Sequence, residues 1–185
     1  SIAEPLGLGS ISRIETRVAE GIAQVLTRQS ANGAFGLWSA GSGEGWLDAY
    51  VTDFLLRARD AGHAVPDTAL ESALDNLANR IAYAPDFDQG GEAIAYALHV
   101  LARAGRAAMG DLRYYADEKA DAFATPMALA QLGAALASYG DQERADRLFR
   151  KAADRLARAG AEAGQVWRAD FGTTLRDAAG LLSLA

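Results

Sequence analysis

Apolar residues recur at intervals of three and four positions along almost the whole chain, and this spacing constrains the fold more than any other feature. At 3.6 residues per turn, such side chains lie along one side of an α-helix. Only four of the 185 residues are proline, and no stretch alternates apolar and polar residues as a half-buried strand does. The sequence therefore predicts an all-α fold.

Eight helices are expected, with glycine or proline where they end or begin. Their predicted bounds are 11–29, 46–61, 67–82, 91–104, 111–122, 126–139, 141–158 and 173–185. The glycines predicted to follow helix ends are Gly33, Gly62, Gly105, Gly140 and Gly160. Thr125 precedes Pro126, the order expected when a capping residue is followed by proline at the first helical position.

The apolar patterns of these helices differ in a regular way. Segments 11–29, 67–82 and 141–158 carry one apolar stripe, as helices with one side in water do. Segments 46–61, 91–104, 126–139 and 173–185 are apolar on most faces, which is typical of helices covered by neighbours. This alternation predicts an α/α toroid, in which inner helices form a barrel and outer helices, including the irregular 111–122, cover it.

Length and composition limit what the chain can be. Its 185 residues favour a single domain, 1–185. A formal net charge of −6 argues against nucleic acid as a partner, and no apolar run is long enough to cross a membrane. The chain has no cysteine, which excludes disulfides, thiolate nucleophiles and cysteine-based zinc sites within it. It begins with Ser1 rather than Met, as expected for a segment of a larger protein.

A glycine-rich loop with three nearby aromatic residues interrupts the helical pattern between residues 30 and 46. Phe35 and Trp38 lie in "ANGAFGLWSAGSGEG", and Trp46 opens the next helix. Trp46, Tyr50 and Phe54 have the spacing of one helical ridge, which we expect to be buried. The loop is thus either a packed corner between two helices or a functional surface.

No motif for catalysis, phosphate binding or dinucleotide binding is present, so no catalytic residue and no cofactor are predicted. His99 lies within a predicted inner helix and His63 in a turn. Because no third ligand lies near either in sequence, a core histidine and a turn residue are favoured over a metal site.

Carboxylates near the starts of predicted inner helices have two interpretations. Glycoside hydrolases, some of which are toroids, use two acids that lie ~5–9 Å apart. Acidic residues at helix N-termini also complement the helix dipole and cap free amides, which is the favoured interpretation. The candidates are Glu44 with Asp48, Asp86 with Asp88, and Glu92.

The segment Leu132–Leu156 is typical of a tetratricopeptide hairpin, with Tyr139-Gly140-Asp141 as its turn. A helical peptide-binding scaffold is therefore an alternative function, although no second copy lies one repeat upstream. After this turn, basic and acidic residues alternate along the second helix of the hairpin, as on an outer helix that faces water.

Two segments resemble the thioester-domain region of bacterial alpha-2-macroglobulin-like proteins, which are related to complement components. The first combines Asn-Gly-x-Phe-x-x-Trp at Asn32–Trp38 with "WLDAYVTDFL" at Trp46–Leu55. The second is "VWRADFGTTLRDAAGLLSLA" at Val166–Ala185, and the resemblance runs from about residue 20 to the end. It implies an α/α toroid, in agreement with the alternation of helices.

The resemblance also implies a function. Proteins of this family trap proteases after cleavage of a bait region, and in many members a thioester formed by a Cys-x-Glu-Gln motif captures the protease. No residue here can supply that sulfur, so the motif lies upstream or the parent protein lacks it. The implied setting is the periplasm, in an envelope-anchored lipoprotein of bacterial defence. The implied partners are neighbouring domains and target proteases, with no direct membrane insertion.

Within this family the thioester is shielded by aromatic residues, contributed partly by a neighbouring domain. Phe35, Trp38, Trp46 and Tyr50 are therefore expected to form a domain-docking or thioester-shielding surface.

Overall fold

The computed structural model describes residues 11–41, 44–84, 86–87, 90–159, 168 and 170–185. These residues form eight α-helices and no named strand, so the prediction of an all-α fold is confirmed. The helices are α1 Ile11–Leu26, α2 Gly45–Asp60, α3 Asp67–Ala82, α4 Glu92–Arg103, α5 Met109–Glu118, α6 Pro126–Ser138, α7 Gln142–Ala159 and α8 Thr174–Leu184. None of the described helices combines the length and hydropathy of a membrane span.

The predicted helix signals act at most of the expected positions. Gly62, Gly105 and Gly140 follow α2, α4 and α6 with φ of 89°, 71° and 81°, a conformation that glycine adopts without strain. The Thr125 hydroxyl accepts a hydrogen bond of 3.2 Å from the Ala128 amide and caps α6. Gly33 has φ 85° but lies in a later turn, because α1 already ends at Leu26. The predicted cap at Gly160 lies outside the described residues.

The residue contacts divide the chain into two compact units, Ser1–Asn76 and Leu77–Ala185, and the division falls within α3. The predicted toroid and the predicted single domain 1–185 remain predictions.

The second unit has its core around α6, which packs against α4, α5, α7 and α8. Leu129, Leu132 and Leu136 of α6 are fully buried, as are Leu98 of α4 and Leu148 of α7. Each such leucine contributes about 1.5–3 kcal/mol relative to an exposed side chain. The extensive burial predicted for segments 91–104 and 126–139 is therefore confirmed, and α7 buries one apolar stripe as expected.

Two expectations about helix faces are wrong. The apolar segment 173–185 was expected to be covered, yet Leu175 and Leu182 of α8 are 80% and 86% exposed. Among the described residues, α8 packs against α6 and α7, and these two helices leave part of its apolar surface uncovered. Segment 67–82 is expected to have its polar side in water, yet its polar residue Asn76 is buried and donates a side-chain hydrogen bond to Asp48.

Candidate functional site

The loop that follows α1 folds back on itself before it reaches the aromatic residues. The Ser30 amide donates to the Ala34 carbonyl (2.8 Å), and Gln29 and Phe35 form an isolated antiparallel bridge. Gly33 closes the turn beside α3, where a Cβ atom would lie 1.9 Å from the Ser72 carbonyl oxygen. The turn therefore requires glycine both for its positive φ and for this close approach.

A buried carboxylate fixes the next residue of the loop. Asp48 of α2 is 0% exposed, and its Oδ1 accepts a hydrogen bond of 2.7 Å from the Phe35 amide. Its Oδ2 accepts a bond of 3.0 Å from the Asn76 side chain of α3. One side chain thus connects the loop, α2 and α3. The carboxyl group of Asp48 therefore fixes the position of the Phe35 backbone.

The four residues of the predicted docking surface occupy different environments. Phe35 is 2% exposed and packs inside the first unit, whereas Trp38 is 90% exposed. Trp46 is half-buried and stacks on Tyr50, with ring centroids 5.2 Å apart. Tyr50 is 53% exposed, so the expected burial of the whole Trp46–Tyr50–Phe54 ridge is wrong. The role of these four residues as a docking surface remains a prediction.

The exposed part of the loop is held by specific contacts. A Cβ atom at Gly36 would lie 1.9 Å from the Ser39 carbonyl oxygen, so the backbone turns tightly here. Arg28 lies two residues after the end of α1, and its guanidinium donates a hydrogen bond to the Leu37 carbonyl. The Gly36 amide in turn donates to the Arg28 carbonyl (3.2 Å). Trp38 is the next residue and is presented to solvent by this arrangement.

A pocket of about 280 Å³ lies between the end of α1, the loop and α2. Phe35 and Tyr50 of the predicted surface both line it, and Leu37 links it to Trp38. Its walls are mostly apolar, with three polar side chains among them. The lining residues are Gln24, Val25, Arg28, Phe35, Gly36, Leu37, Leu47, Tyr50 and Val51.

A separate ionic cluster lies in the second unit, around the start of α8. The Arg168 guanidinium donates two hydrogen bonds to each of two buried carboxylates, at 2.8 Å to Asp170 and 2.7 Å to Asp177. Arg176 donates to the Asp170 carbonyl (2.7 Å) and pairs with its carboxylate. The sequence reasoning missed this cluster, although the spacing of Arg168, Asp170, Arg176 and Asp177 carries the signal of alternating charge.

The cluster perturbs the ionisation of neighbouring groups. Burial raises the pKa of Glu92, and the carboxylates of Asp170 and Asp177 add to that effect while Arg168 opposes it. Burial alone would raise the pKa of Asp170, but hydrogen bonding to Arg168 and the charge of Arg176 outweigh it and lower that pKa. The pKa of Arg168 is raised chiefly by its hydrogen bonds to Asp170, so Arg168 stays charged.

The other candidate carboxylates do not form a two-acid site in the described residues. Glu44 is exposed and makes no side-chain cap, whereas Asp48 is fully buried beneath the loop. Asp86 forms an ion pair with Lys119, which lowers the pKa of its carboxyl. Asp88 lies outside the described residues. Glu92 is buried and interacts electrostatically with Arg168, Asp170 and Asp177.

The histidines and the charged helix α7 have the expected environments. His99 is buried within α4, and His63 is half-buried in the turn after α2. No group of three potential metal ligands occurs among the described residues. On α7, Arg144 lies 2.9 Å from Asp117 of α5, which also pairs with Arg147. The carboxylates that pair with the basic residues of α7 therefore come partly from α5.

Comparison with known proteins identifies relatives of most of the chain. No family model matches it. Alpha-2-macroglobulin of Escherichia coli K12 is 38% identical over 174 residues, which is 89% of this chain and 10% of that protein. Alpha-2-macroglobulin of Xylella fastidiosa strain Temecula1 is 32% identical over 96% of this chain and 11% of that protein.

Solved structures agree with the sequence comparison. The native conformation of E. coli alpha-2-macroglobulin matches 95% of this chain with a TM-score of 0.81 and 33% identity, over 11% of its own length. The chain is homologous to one segment of the bacterial alpha-2-macroglobulins. The resemblance seen in the sequence is thereby confirmed.

The chain spans about a tenth of the length of the curated alpha-2-macroglobulins that it matches. A crystal structure of the native E. coli protein from domain MG7 to the C-terminus matches with a TM-score of 0.81 at 31% identity, over 95% of this chain and 28% of that one. The matching segment thus belongs to the C-terminal part of alpha-2-macroglobulin. Trypsin-activated E. coli alpha-2-macroglobulin also matches 95% of this chain and 12% of its own, with a TM-score of 0.78 and 32% identity.

Proposed function

We propose that this chain is a non-catalytic helical domain of a bacterial alpha-2-macroglobulin-like protein that traps proteases. The observation that carries the proposal is the 38% identity to E. coli alpha-2-macroglobulin over 89% of the chain. The α6–α7 hairpin motivated the peptide-binding alternative. The match to native E. coli alpha-2-macroglobulin covers 95% of this chain and therefore includes most of that hairpin. The homology therefore favours the trapping protein over the repeat scaffold and the hydrolase.

Within such a protein, the chain would correspond to part of the thioester domain. It contains no cysteine, so it cannot itself form the thioester. Either another part of the same polypeptide supplies the Cys-x-Glu-Gln motif, or the parent protein holds proteases by conformational change alone. In both cases this chain serves as a folded scaffold and performs no bond-making step.

A scaffold role is supported by the similarity to two functional states of a relative. The chain matches native and trypsin-activated E. coli alpha-2-macroglobulin with TM-scores of 0.81 and 0.78. The fold of the chain therefore fits both states, and we infer that its helices keep their fold when a protease cleaves the parent protein.

The loop between α1 and α2, which contains Phe35 and Trp38 and is called the aromatic loop, forms the proposed contact surface together with the first turns of α2. Phe35 forms the base, and Trp38, Trp46 and Tyr50 offer exposed or half-exposed rings. Exposed aromatic residues on a fixed backbone are typical anchors of protein interfaces. We propose that a neighbouring domain covers this surface in the intact protein and shields a thioester where one is present.

The proposed location is the periplasm, in a protein that is anchored to the cell envelope and protects it from foreign proteases. The similarity to bacterial alpha-2-macroglobulins supports this location, because the family resemblance implies a periplasmic setting. Fractionation of the native host, with the parent protein detected by antibody, tests it. Recovery in the cytoplasmic fraction would contradict it.

The function is tested on the full-length parent protein. Its intact mass is measured before and after methylamine treatment, together with free-thiol titration and a gel assay for protease trapping. Trapping with an amine adduct and one new thiol would show a thioester outside this chain. Trapping without either change would identify a thioester-free member, whereas absence of trapping by several proteases would contradict the proposed function.

A further inference from the structure

We propose that the pocket between α1, the aromatic loop and α2 receives an apolar side chain from another domain of the same long polypeptide. An acidic residue next to that side chain pairs with Arg28. This inference rests on the proposed function, in which the chain is one domain of a much longer protein.

The size and walls of the pocket indicate a single large side chain as its occupant. Its volume of about 280 Å³ lies just below the roughly 300–1,000 Å³ of small-molecule sites. Phe35 and Val51 are buried at its base, and Val25 and Leu47 contribute further apolar surface. Such walls favour an apolar group, because a polar group would lose its hydration without gaining partners.

The charged residue that lines the pocket indicates which chemical group lies beside the incoming apolar side chain. Arg28 is the only charged residue among the described residues that line the pocket. Its guanidinium donates to the Leu37 carbonyl, and a guanidinium has five donors, so donors remain for a ligand. Planar guanidinium groups bind carboxylates through paired hydrogen bonds, and no acidic side chain lines the described pocket. A carboxylate on the incoming segment is therefore the complementary group.

The surface beside the pocket indicates that the occupant is carried by a folded domain. Leu37, which lines the pocket, and Trp38 are 61% and 90% exposed, and both follow the tight backbone turn at Gly36. Because Trp38 directly follows Leu37, an exposed aromatic ring accompanies the pocket, and such rings are frequent anchors of protein interfaces. Since the matched relatives are about ten times longer than this chain, another domain of the same polypeptide is the occupant to which the proposal commits.

The test uses the full-length protein with a benzoylphenylalanine side chain introduced at position 50 in place of tyrosine. Irradiation is expected to link this position to a segment outside residues 1–185 of the same polypeptide, in which an apolar residue adjoins Asp or Glu. The charge reversal Arg28→Glu is expected to lower the yield at least tenfold, and Arg28→Lys to retain most of it. Reversal of the acid identified in the partner segment, combined with Arg28→Glu, is expected to restore the product.

Two further variants separate occupancy of the pocket from loss of folding. Val25→Trp fills the pocket without removing Arg28 and is expected to lower the cross-link yield at unchanged helical content. Arg17→Glu reverses a charge on an exposed position of the same helix and is expected to leave the yield unchanged. Equal losses in Arg17→Glu and Arg28→Glu would contradict pairing at the pocket.

Protease trapping is measured in the same preparations, so that the two proposals can fail separately. If trapping is normal but the probe links to a second copy, to the protease, to a segment without an acid or to nothing, the pocket proposal is wrong and the proposed function stands. If the wild-type protein traps no protease while the expected intramolecular product forms, the proposed function is wrong and the pocket assignment stands.

Discussion

At the scale of single residues, the two buried acidic residues Asp48 and Glu92 have different roles. Asp48 is an acceptor that connects the backbone of the aromatic loop to α2 and α3. Glu92 lies near two other carboxylates and one arginine, in surroundings that disfavour its charged form. The sequence suggested the same helix-start role for both. The difference depends on which groups the fold places beside them, and sequence spacing does not contain that information.

Replacement of Asp48 is expected to destabilise the fold, because two buried donors lose their hydrogen-bond acceptor. Asp48→Ala leaves the buried Phe35 amide and the Asn76 side chain without this acceptor, which costs about 2–4 kcal/mol of unfolding free energy. Asp48→Asn retains an acceptor oxygen and is expected to cost less. Urea unfolding measures both, with Glu44→Ala at the exposed start of the same helix as the control. Equal stability of Asp48→Ala and Glu44→Ala would contradict the role of this carboxylate.

Glu92 and Asp170 are expected to give opposite dependences of stability on pH. Because the pKa of Glu92 is raised on folding, its ionisation destabilises the fold as pH rises from its ordinary value of 4.5 through the raised value. The stability of Glu92→Gln relative to wild type should therefore increase over that range and then level off. Because the pKa of Asp170 is lowered, its contribution is present above its ordinary value of 3.8 and is lost as pH falls.

Unfolding midpoints in urea, measured at several pH values, check these two signs. Asp170→Asn should be less stable than wild type at neutral pH, and the difference should shrink in acid. A difference between Glu92→Gln and wild type that does not change with pH would contradict the account of Glu92.

At the scale of elements, the sequence predicted helices better than it predicted their surroundings. Apolar spacing and glycines located all eight helices, because both act within a few residues of the backbone that they shape. Apolar composition also predicted a covered α8, but burial depends on which neighbours are present and Leu182 is exposed. Likewise, the pocket beside α2 arises from three segments that meet only after folding.

The turn before the aromatic loop allows a direct test of close packing. Gly33 and Gly62 have similar φ values of 85° and 89°, but only Gly33 faces a backbone atom, at 1.9 Å from its Cβ position, whereas Gly62 has open space. Gly62→Ala is expected to cost about 1 kcal/mol from the backbone conformation alone. Gly33→Ala adds the clash and is expected to cost about 2–4 kcal/mol. Thermal or urea unfolding of the pair measures the difference, and equal costs would show that the turn can move away from α3.

At the scale of the whole molecule, the buried core and the exposed loop are expected to respond differently to protease cleavage in the proposed trapping protein. The helices α4 and α6 bury most of their side chains, and opening them would expose much of the core of the second unit. The aromatic loop instead has exposed side chains and a few specific anchors. Regions with few buried apolar contacts open at lower free energy than the core and respond first to a change of neighbours.

Hydrogen exchange in the full-length protein, before and after protease cleavage, is therefore expected to separate these two parts. The fold fits native and trypsin-activated relatives with TM-scores of 0.81 and 0.78, so amides of α4 and α6 should exchange at rates that differ by less than about twofold. Amides of residues 34–41 should change by about tenfold or more, because the neighbouring domain that is proposed to cover the aromatic surface is expected to move away. Trp38→Ala should reduce that change while leaving α4 and α6 protected. Large changes in α4 and α6 would instead show that cleavage remodels the core of the second unit, and the proposed role as a folded scaffold would then be wrong.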